Sequence, residues 1–370
     1  MKTLTGKGYY IWIVSRCEKG DPERIAALAR ESQLTHVIIK IADGAFPYNI
    51  NLNNGFDYVR PVIKKLQSQG ISVWGWHYVY GDHPQQEAEI AVKRSLELGV
   101  DGYVVNAEKE YKLPNRAIAA SRFMNILRSN LGSLPIALSS YRYPSYHRSL
   151  PWTNFLDRCD YNMPQVYWMG SHGQAGAQLK RCINEFKNIH PFRPIIPTGP
   201  TFKEWGWVPR EEDVIEFMQV AQELNIPAVN FWSWDNARRD LPSFWDLVRD
   251  YNYELTPQVA SLPKRYIQAL NNRNPLEVVD FYRENAVHIR SQNAIQGKTA
   301  IKAWVTTLLD EFPDGDFSLI SETQNKNIHS FQWQATDKSG MVFTGRETLG
   351  THEDQISYQY SFFSPIETAI

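Results

Sequence analysis

Cysteine is scarce in this chain. There are three in 370 residues, Cys17, Cys159 and Cys182, far apart and odd in number. That excludes a disulfide framework and a Cys-rich metal site, and it fits reduced thiols. An excess of charge of one sign is also missing. The formal net charge is -1, so nothing points to nucleic acid or an anionic membrane surface as partner. No apolar run is long enough to span a bilayer. The opening residues Met1 to Gly8 hold no apolar signal core, which leads us to expect a cytoplasmic protein. His-Glu-x-x-His, Cys-x-x-Cys, Walker and Gly-x-Ser-x-Gly patterns are absent, so neither a metal nor a cofactor is expected. Gly170 to Gly176 has the wrong glycine spacing for a dinucleotide turn.

Aromatic residues, by contrast, are plentiful: 13% of the chain, with 12 tryptophans. Tryptophans crowding a cleft suit a flat ligand such as a sugar ring, and core packing uses them as readily.

From residue 8 to 253 the chain alternates strand and helix patterns. Apolar runs begin at Tyr9, Val37, Ile71, Gly102, Pro135, Tyr161, Pro194 and Ala228, with helical patterns between them. Asp21-Pro22 marks one helix start, because Asp can accept from free N–H groups and Pro is harmless at the first helical position. Eight such units in about 250 residues is the count and size of an α/β (β/α)8 barrel, or TIM barrel. A doubly wound sheet is the rival, but it would carry a Gly-rich turn after the first strand. We place the barrel at 1–254 and a linker at 255–263, where two prolines mark a boundary. Residues 264–370 show helices first and longer strands last, an α+β arrangement.

Chemistry in such a barrel sits at the C-terminal strand ends. Those ends carry Ser15 with Arg16, Asp43, His77 with Tyr78 and Tyr80, Asn106 with Glu108, Ser139 with Tyr141, Gln165 with Tyr167, Thr198, and Trp232, Trp234 and Asp235. Carboxylates, amides and aromatics together suit a polyhydroxylated ligand. Glu108 could instead be held by a salt bridge to Lys40, and Asp43 before Gly44 could be only a turn. Asp235 could simply open the loop to the last helix, His77 could be a hydrogen-bonded lining residue, and Glu110 could be solvated.

Lys40-Ile-Ala-Asp43-Gly44, Gly75-Trp-His77-Tyr78 and Asn106-Ala-Glu108 stand at three consecutive strand ends. In that order they resemble landmarks of glycoside hydrolase family 25, the Chalaropsis-type lysozymes. The resemblance covers the first half of the barrel. It implies cleavage of a glycosidic bond in an amino-sugar or cell-wall polysaccharide, with Glu108 as general acid. Two departures stand against it. Asn106 replaces the acid of Asp-x-Glu, and Ile13 replaces a first-strand Asp. Glycoside hydrolysis generally needs two carboxylates, which leaves Asp43 or Asp235 as the second, with Asn106 as an orienting amide. His77, Tyr78, Tyr80, Gln165, Tyr167, Trp232 and Trp234 are then candidate substrate contacts. The alternative is a carbohydrate-binding barrel without catalysis.

Residues 262–365 resemble the nuclear transport factor 2-like superfamily, particularly its SnoaL-like branch. The likeness rests on Tyr266-Ile-Gln-Ala-Leu, Val279-Asp-Phe-Tyr-Arg-Glu-Asn-Ala-Val287, Gln296-Gly-Lys-Thr-Ala-Ile-Lys-Ala-Trp304 and Ile356-Ser-Tyr-Gln-Tyr-Ser-Phe-Phe363. It implies a cone-shaped fold, often with an internal pocket. Tyr282, His288, Arg290, Trp333 and Tyr360 are the polar candidates there, and a ligand-binding or homodimerising role is expected rather than catalysis.

Overall fold

The computed structural model describes residues 4–255, 260–291, 293–313, 316–337 and 339–365. The chain divides into two compact units, Met1–Thr256 and Pro257–Ile370. Positions 256–259 of the expected linker lie outside the described residues.

The first unit is a closed parallel barrel. Its strands are β1 (Gly6–Ile11), β2 (Leu34–Asp43), β4 (Ser72–Val79), β5 (Gly102–Ala107), β6 (Ile136–Tyr141), β7 (Tyr161–Gln165), β8 (Thr198–Pro200) and β9 (Ala228–Trp232); β3 (Phe46–Pro47) is a short hairpin arm on β2. The sheet order is β1-β9-β8-β7-β6-β5-β4-β2-β3, and β1 also pairs with β2, which closes the ring. Helices α1 (Pro22–Glu31), α2 (Val59–Ser68), α3 (Pro84–Leu98), α4 (Arg116–Leu131), α5 (Trp152–Leu156), α6 (Ala175–Phe186), α7 (Glu211–Glu223), α8 (Trp234–Asp240) and α9 (Pro242–Asp250) lie between and after the strands.

Local chemistry sets these elements. Asp21 accepts from the backbone N–H groups of Glu23 and Arg24, and Pro22 starts α1. The run at Pro194 is extended only in part. A lone bridge joins Ile195 to Asn162, and the ladder resumes at Thr198, because Pro194 and Pro197 have no N–H to donate. Strand alternation sorts two cores. Tyr10, Ile38, Trp74, Trp76, Val104, Ala137 and Met163 fill the barrel. Tyr9, Ile39, Tyr103, Val105 and Leu138 join the helices outside it. Gly102 is required by the inner layer, since a Cβ there would lie 2.3 Å from the Trp74 ring. The Lys7 ammonium donates to the carbonyls of Val248 (2.7 Å), Arg249 (3.0 Å) and Tyr251 (2.7 Å) at the end of α9, a cation on the negative end of a helix.

The second unit runs α10 (Leu262–Asn271), α11 (Pro275–Val279), β10 (Tyr282–Arg290), β11 (Ala294–Gln296), α12 (Lys298–Glu311), β12 (Ser318–Asn325), β13 (Ile328–Thr336), β14 (Val342–His352) and β15 (Gln355–Pro365). The sheet order is β11-β10-β15-β14-β13-β12. One face packs Phe331, Trp333, Leu349 and Ile356 against Tyr266, Leu270, Val305 and Leu308 of the helices. Among these apolar groups lies a buried polar chain. Tyr266 and Tyr282 hydroxyls are 2.9 Å apart, Tyr282 donates to Gln359, and Gln359 Nε2 donates to Glu347 at 2.8 Å. Trp333 Nε1 donates to Glu347 at 3.0 Å, Ser361 hydrogen-bonds Glu347, and His288 Nε2 lies 2.7 Å from the Ser361 hydroxyl. On the other face of β15, Tyr358, Tyr360 and Phe362 stand exposed.

Candidate functional site

The C-terminal ends of the barrel strands surround a cleft of about 430 Å³. Buried Tyr10 and Trp76 form part of its wall. Around the closed sheet, β8, β9, β1 and β2 are consecutive neighbours, and so are β4 to β7. The first group presents Phe202, Trp232, Trp12 and Lys40 to the cleft; the second presents Trp76, Tyr78, Asn106, Glu108, Ser139 and Gln165. Both groups mix rings with polar side chains, since Lys203, Glu204 and Asn236 accompany the first and Tyr167 the second. Trp232 is the centre of an aromatic cluster, with ring centroids 6.0 Å from Trp12, 5.3 Å from Trp76 and 5.6 Å from Tyr10.

Glu108 anchors a polar cluster. Its Oε1 accepts from Asn106 Nδ2 at 3.1 Å and from Gln165 Nε2 at 2.9 Å, and Gln165 Nε2 also reaches Asn106 Oδ1 at 3.1 Å. Asn106 is inward on β5 by strand alternation, and Glu108, the first residue past its end, also faces the cleft. Phenols surround this carboxylate. Burial first, then the charges of Glu108 and Glu110, push Tyr141 up to about 12. The same causes raise Tyr78, which donates to Glu110 Oε2 at 2.8 Å. Burial, Tyr10, Glu108 and Glu204 raise Tyr167. These hydroxyls stay protonated and able to donate through the neutral range. A carboxylate flanked by amides and neutral phenols can accept from one hydroxyl of a diol while a neighbour donates to the next.

Of the residues nominated from sequence, Glu108, Asn106, Tyr78, Ser139, Gln165, Tyr167 and Trp232 line this cleft. The others do not. Lys40 pairs with Asp43 at 2.8 Å, not with Glu108. The β2 register slips between Lys40 and Ala42 and sets Asp43 opposite Tyr78; Asp43 is not in the cleft lining and lies beside Tyr80. Burial lowers the pKa of Lys40, while its bond to Asp43 raises it, and its ammonium faces the rings of Tyr48 (4.2 Å), Trp76 (4.8 Å) and Trp12 (5.7 Å). Tyr80 packs on Tyr78 away from the cleft, at 5.1 Å. His77 is fully buried, bonded to the Tyr103 hydroxyl (2.8 Å) and the Gly44 carbonyl (2.7 Å), with burial holding it down to about 4. Tyr103 points outward with it and does not flank Glu108. After Trp232 the chain turns into α8, so Trp234 enters the outer core against Trp245 at 4.6 Å. Asp235 is buried there, accepting from the Ser233 hydroxyl at 2.9 Å. Glu110 is not simply solvated, because it holds Tyr78.

Sequence reasoning missed Trp12, Met169, Phe202, Lys203, Glu204 and Asn236, all of which line the cleft. They follow strand ends by one or more residues, where no period marks which side chains turn inward. Among the described residues, Glu204 is the one lining carboxylate besides Glu108. Among the described residues no group of three or more His, Cys, Asp or Glu could hold a metal ion, and no helix is long and apolar enough to cross a membrane.

Residues 264–358 match the family described as the SnoaL-like domain. Among solved structures, a SnoaL-like family protein from Agrobacterium tumefaciens is 21% identical over 28% of this chain and 93% of its own, at a TM-score of 0.25. An NTF-2 like protein of unknown function from Burkholderia xenovorans is 14% identical over 29% and 84%, at 0.26. A protein with a ketosteroid isomerase-like fold from Catenulispora acidiphila, solved with trimethylamine, is 11% identical over 28% and 86%, at 0.26. No curated protein matches the sequence. By its family match, the C-terminal unit carries a SnoaL-like domain over residues 264–358, and it follows a closed parallel barrel.

Proposed function

We propose that the barrel binds a saccharide of amino-sugar or cell-wall type without hydrolysing it. The presence of an aromatic cluster and an amide–carboxylate cluster in one cleft carries this reading. A pyranose ring has an apolar face of C–H groups and a rim of hydroxyls. The Trp12–Trp232 pair suits the face, and the Glu108–Asn106–Gln165 cluster suits the rim. The lysozyme-type resemblance asks for a second carboxylate, and its two candidates are engaged elsewhere, Asp43 with Lys40 and Asp235 with Ser233. Isothermal titration against chitin-type and peptidoglycan oligosaccharides, with product analysis of the same mixtures, tests the proposal. Saturable binding with intact sugar is the expected result, and turnover lost in Glu108→Gln would overturn it.

A second reading, glycoside hydrolysis by acid and base, draws on Glu204, which shares the cleft with Glu108. Turnover abolished by both Glu108→Gln and Glu204→Gln would establish it. The three cysteines carry buried free thiols, which fits a reducing compartment.

For the SnoaL-like domain we propose self-association through the outer face of β15. The exposed Tyr358, Tyr360 and Phe362 lie beside Val287 and Ile289 of β10, an apolar stripe on a sheet face. Sedimentation of the intact chain should give a dimer, and Tyr360→Lys a monomer. A monomeric wild type rejects the interface.

A further inference from the structure

The loop after β8 holds a tryptophan in an unusual place. Glu204 and Trp207 exchange both backbone hydrogen bonds, at 3.0 and 2.9 Å, and leave Trp205 and Gly206 as a two-residue tip. Both tip residues are left-handed, with φ of +48° at Trp205 and +77° at Gly206. Turns of this kind take Gly, Asn or Asp at both positions, since a bulky side chain is strained there. Trp205 gains no burial in return, because it is 88% exposed. The hairpin is also firmly based. Phe202 packs on Tyr167 at 5.1 Å, Trp207 stacks with His172 at 6.3 Å, and Trp207 Nε1 donates to the Ser171 carbonyl at 3.4 Å. A strained backbone and a solvated indole persist together at the lip of the cleft, next to lining residue Glu204, and no contact among the described residues accounts for either.

The hairpin after β2 shows a matching feature. The β2–β3 hairpin pairs Asp43 with Phe46, and Phe46 is 73% exposed. Between the two lips stand half-buried Trp232, at the end of β9, and Trp12, one residue past β1 and 40% exposed. Exposed rings thus follow β8 and β2, with the two cleft tryptophans at the ends of the strands between them.

Building on the saccharide reading above, we propose that Trp205 and Phe46 are outer platforms of one aromatic track. The ligand is then an extended polysaccharide chain that crosses the mouth, not a mono- or disaccharide enclosed in it. The inner rings hold the central residues, and the lip rings stack on residues that leave the cleft. A protein partner on these rings is the competing occupant, and it would show no dependence on sugar chain length.

The test is a chain-length series on the intact protein. Oligomers of β-linked glucose, of N-acetylglucosamine, and of alternating N-acetylglucosamine and N-acetylmuramic acid are titrated, each as dimer and as hexamer. The wild type should bind the hexamer of at least one series about tenfold more tightly than its dimer. Trp205→Gly, which also relieves the turn, should weaken hexamer binding roughly three- to tenfold, the range of one aromatic stacking contact, and leave dimer binding unchanged. Phe46→Ser should behave likewise. Unchanged or raised thermal midpoints would show that both variants fold. A variant that weakens dimer and hexamer equally, or neither, overturns the extended-chain inference and leaves the saccharide reading standing. A wild type that binds no member of the panel overturns both.

Discussion

Replacing Glu347 with glutamine should change the way the stability of the SnoaL-like domain responds to pH. The side chain lies under the sheet, 4% exposed. Burial pushes its carboxyl from the ordinary 4.5 up to about 7, against the pull of hydrogen bonds from Ser361, Gln359 and Trp333. Between those two values the folded chain keeps a proton that the unfolded chain has released. Stability from this group is therefore intact below about 4.5 and is lost as pH rises through about 7. At about 1.4 kcal/mol per pH unit, the loss across the window is about 3 kcal/mol. His288, one hydroxyl away through Ser361, works in the opposite sense. Burial, then the charge of Arg290, holds it down from 6.5 to about 3, so its contribution is present above 6.5 and shrinks as pH falls. Over the shared range the two nearly cancel, and the wild-type profile should look flatter than either alone. Glu347→Gln removes one arm, so the variant should gain stability with rising pH where the wild type does not. Urea unfolding of the intact chain at a series of pH values reads the difference, in which the titrations of the barrel histidines drop out. Parallel profiles for wild type and variant would refute the reasoning.

Other perturbations have equally definite outcomes. Asp43→Asn leaves the Lys40 ammonium buried without its carboxylate and should cost about 3 kcal/mol; in urea unfolding, the double variant Lys40→Met, Asp43→Asn should recover most of it, and a double variant no more stable than the single one would count against the pairing. Gly102→Ala puts a Cβ 2.3 Å from the Trp74 ring and should lower barrel stability by about 2 kcal/mol through overpacking, read as a fall in thermal midpoint. Trp232→Ala removes the ring that touches Trp12, Trp76 and Tyr10, and calorimetry should show saccharide affinity falling about tenfold or more.

How much of this was legible beforehand depended on periodicity. Eight apolar runs separated by helical patterns were enough for the barrel, because each strand is buried on both faces and reads as a continuous run. Asn106, Glu108 and Gln165 were legible because they close such runs with the right parity. His77 was misplaced although the rule that excludes it was available: Trp76 and Tyr78 point into the barrel, so the residue between them must point out. Asp43 could not be placed, since a register slip inside β2 leaves no trace in the pattern. Trp234 and Asp235 were assigned to an extended strand end, and the chain coils into α8 at that point. Glu204 and Trp205 belong to a hairpin set by two backbone hydrogen bonds, and no side-chain spacing announces it.

The three carbonyl contacts of Lys7 bear on how this protein is made. The first strand is completed by β9 and by the end of α9, partners more than two hundred residues downstream. On a ribosome, β1 and β2 emerge long before either partner exists, so the ring has an open seam for most of synthesis. Closure is then a late, non-local event with a large loop-closure cost. Until it happens, the edge strands β1 and β9 expose unpaired backbone groups and apolar side chains, which makes a stalled or truncated chain prone to aggregation through that seam.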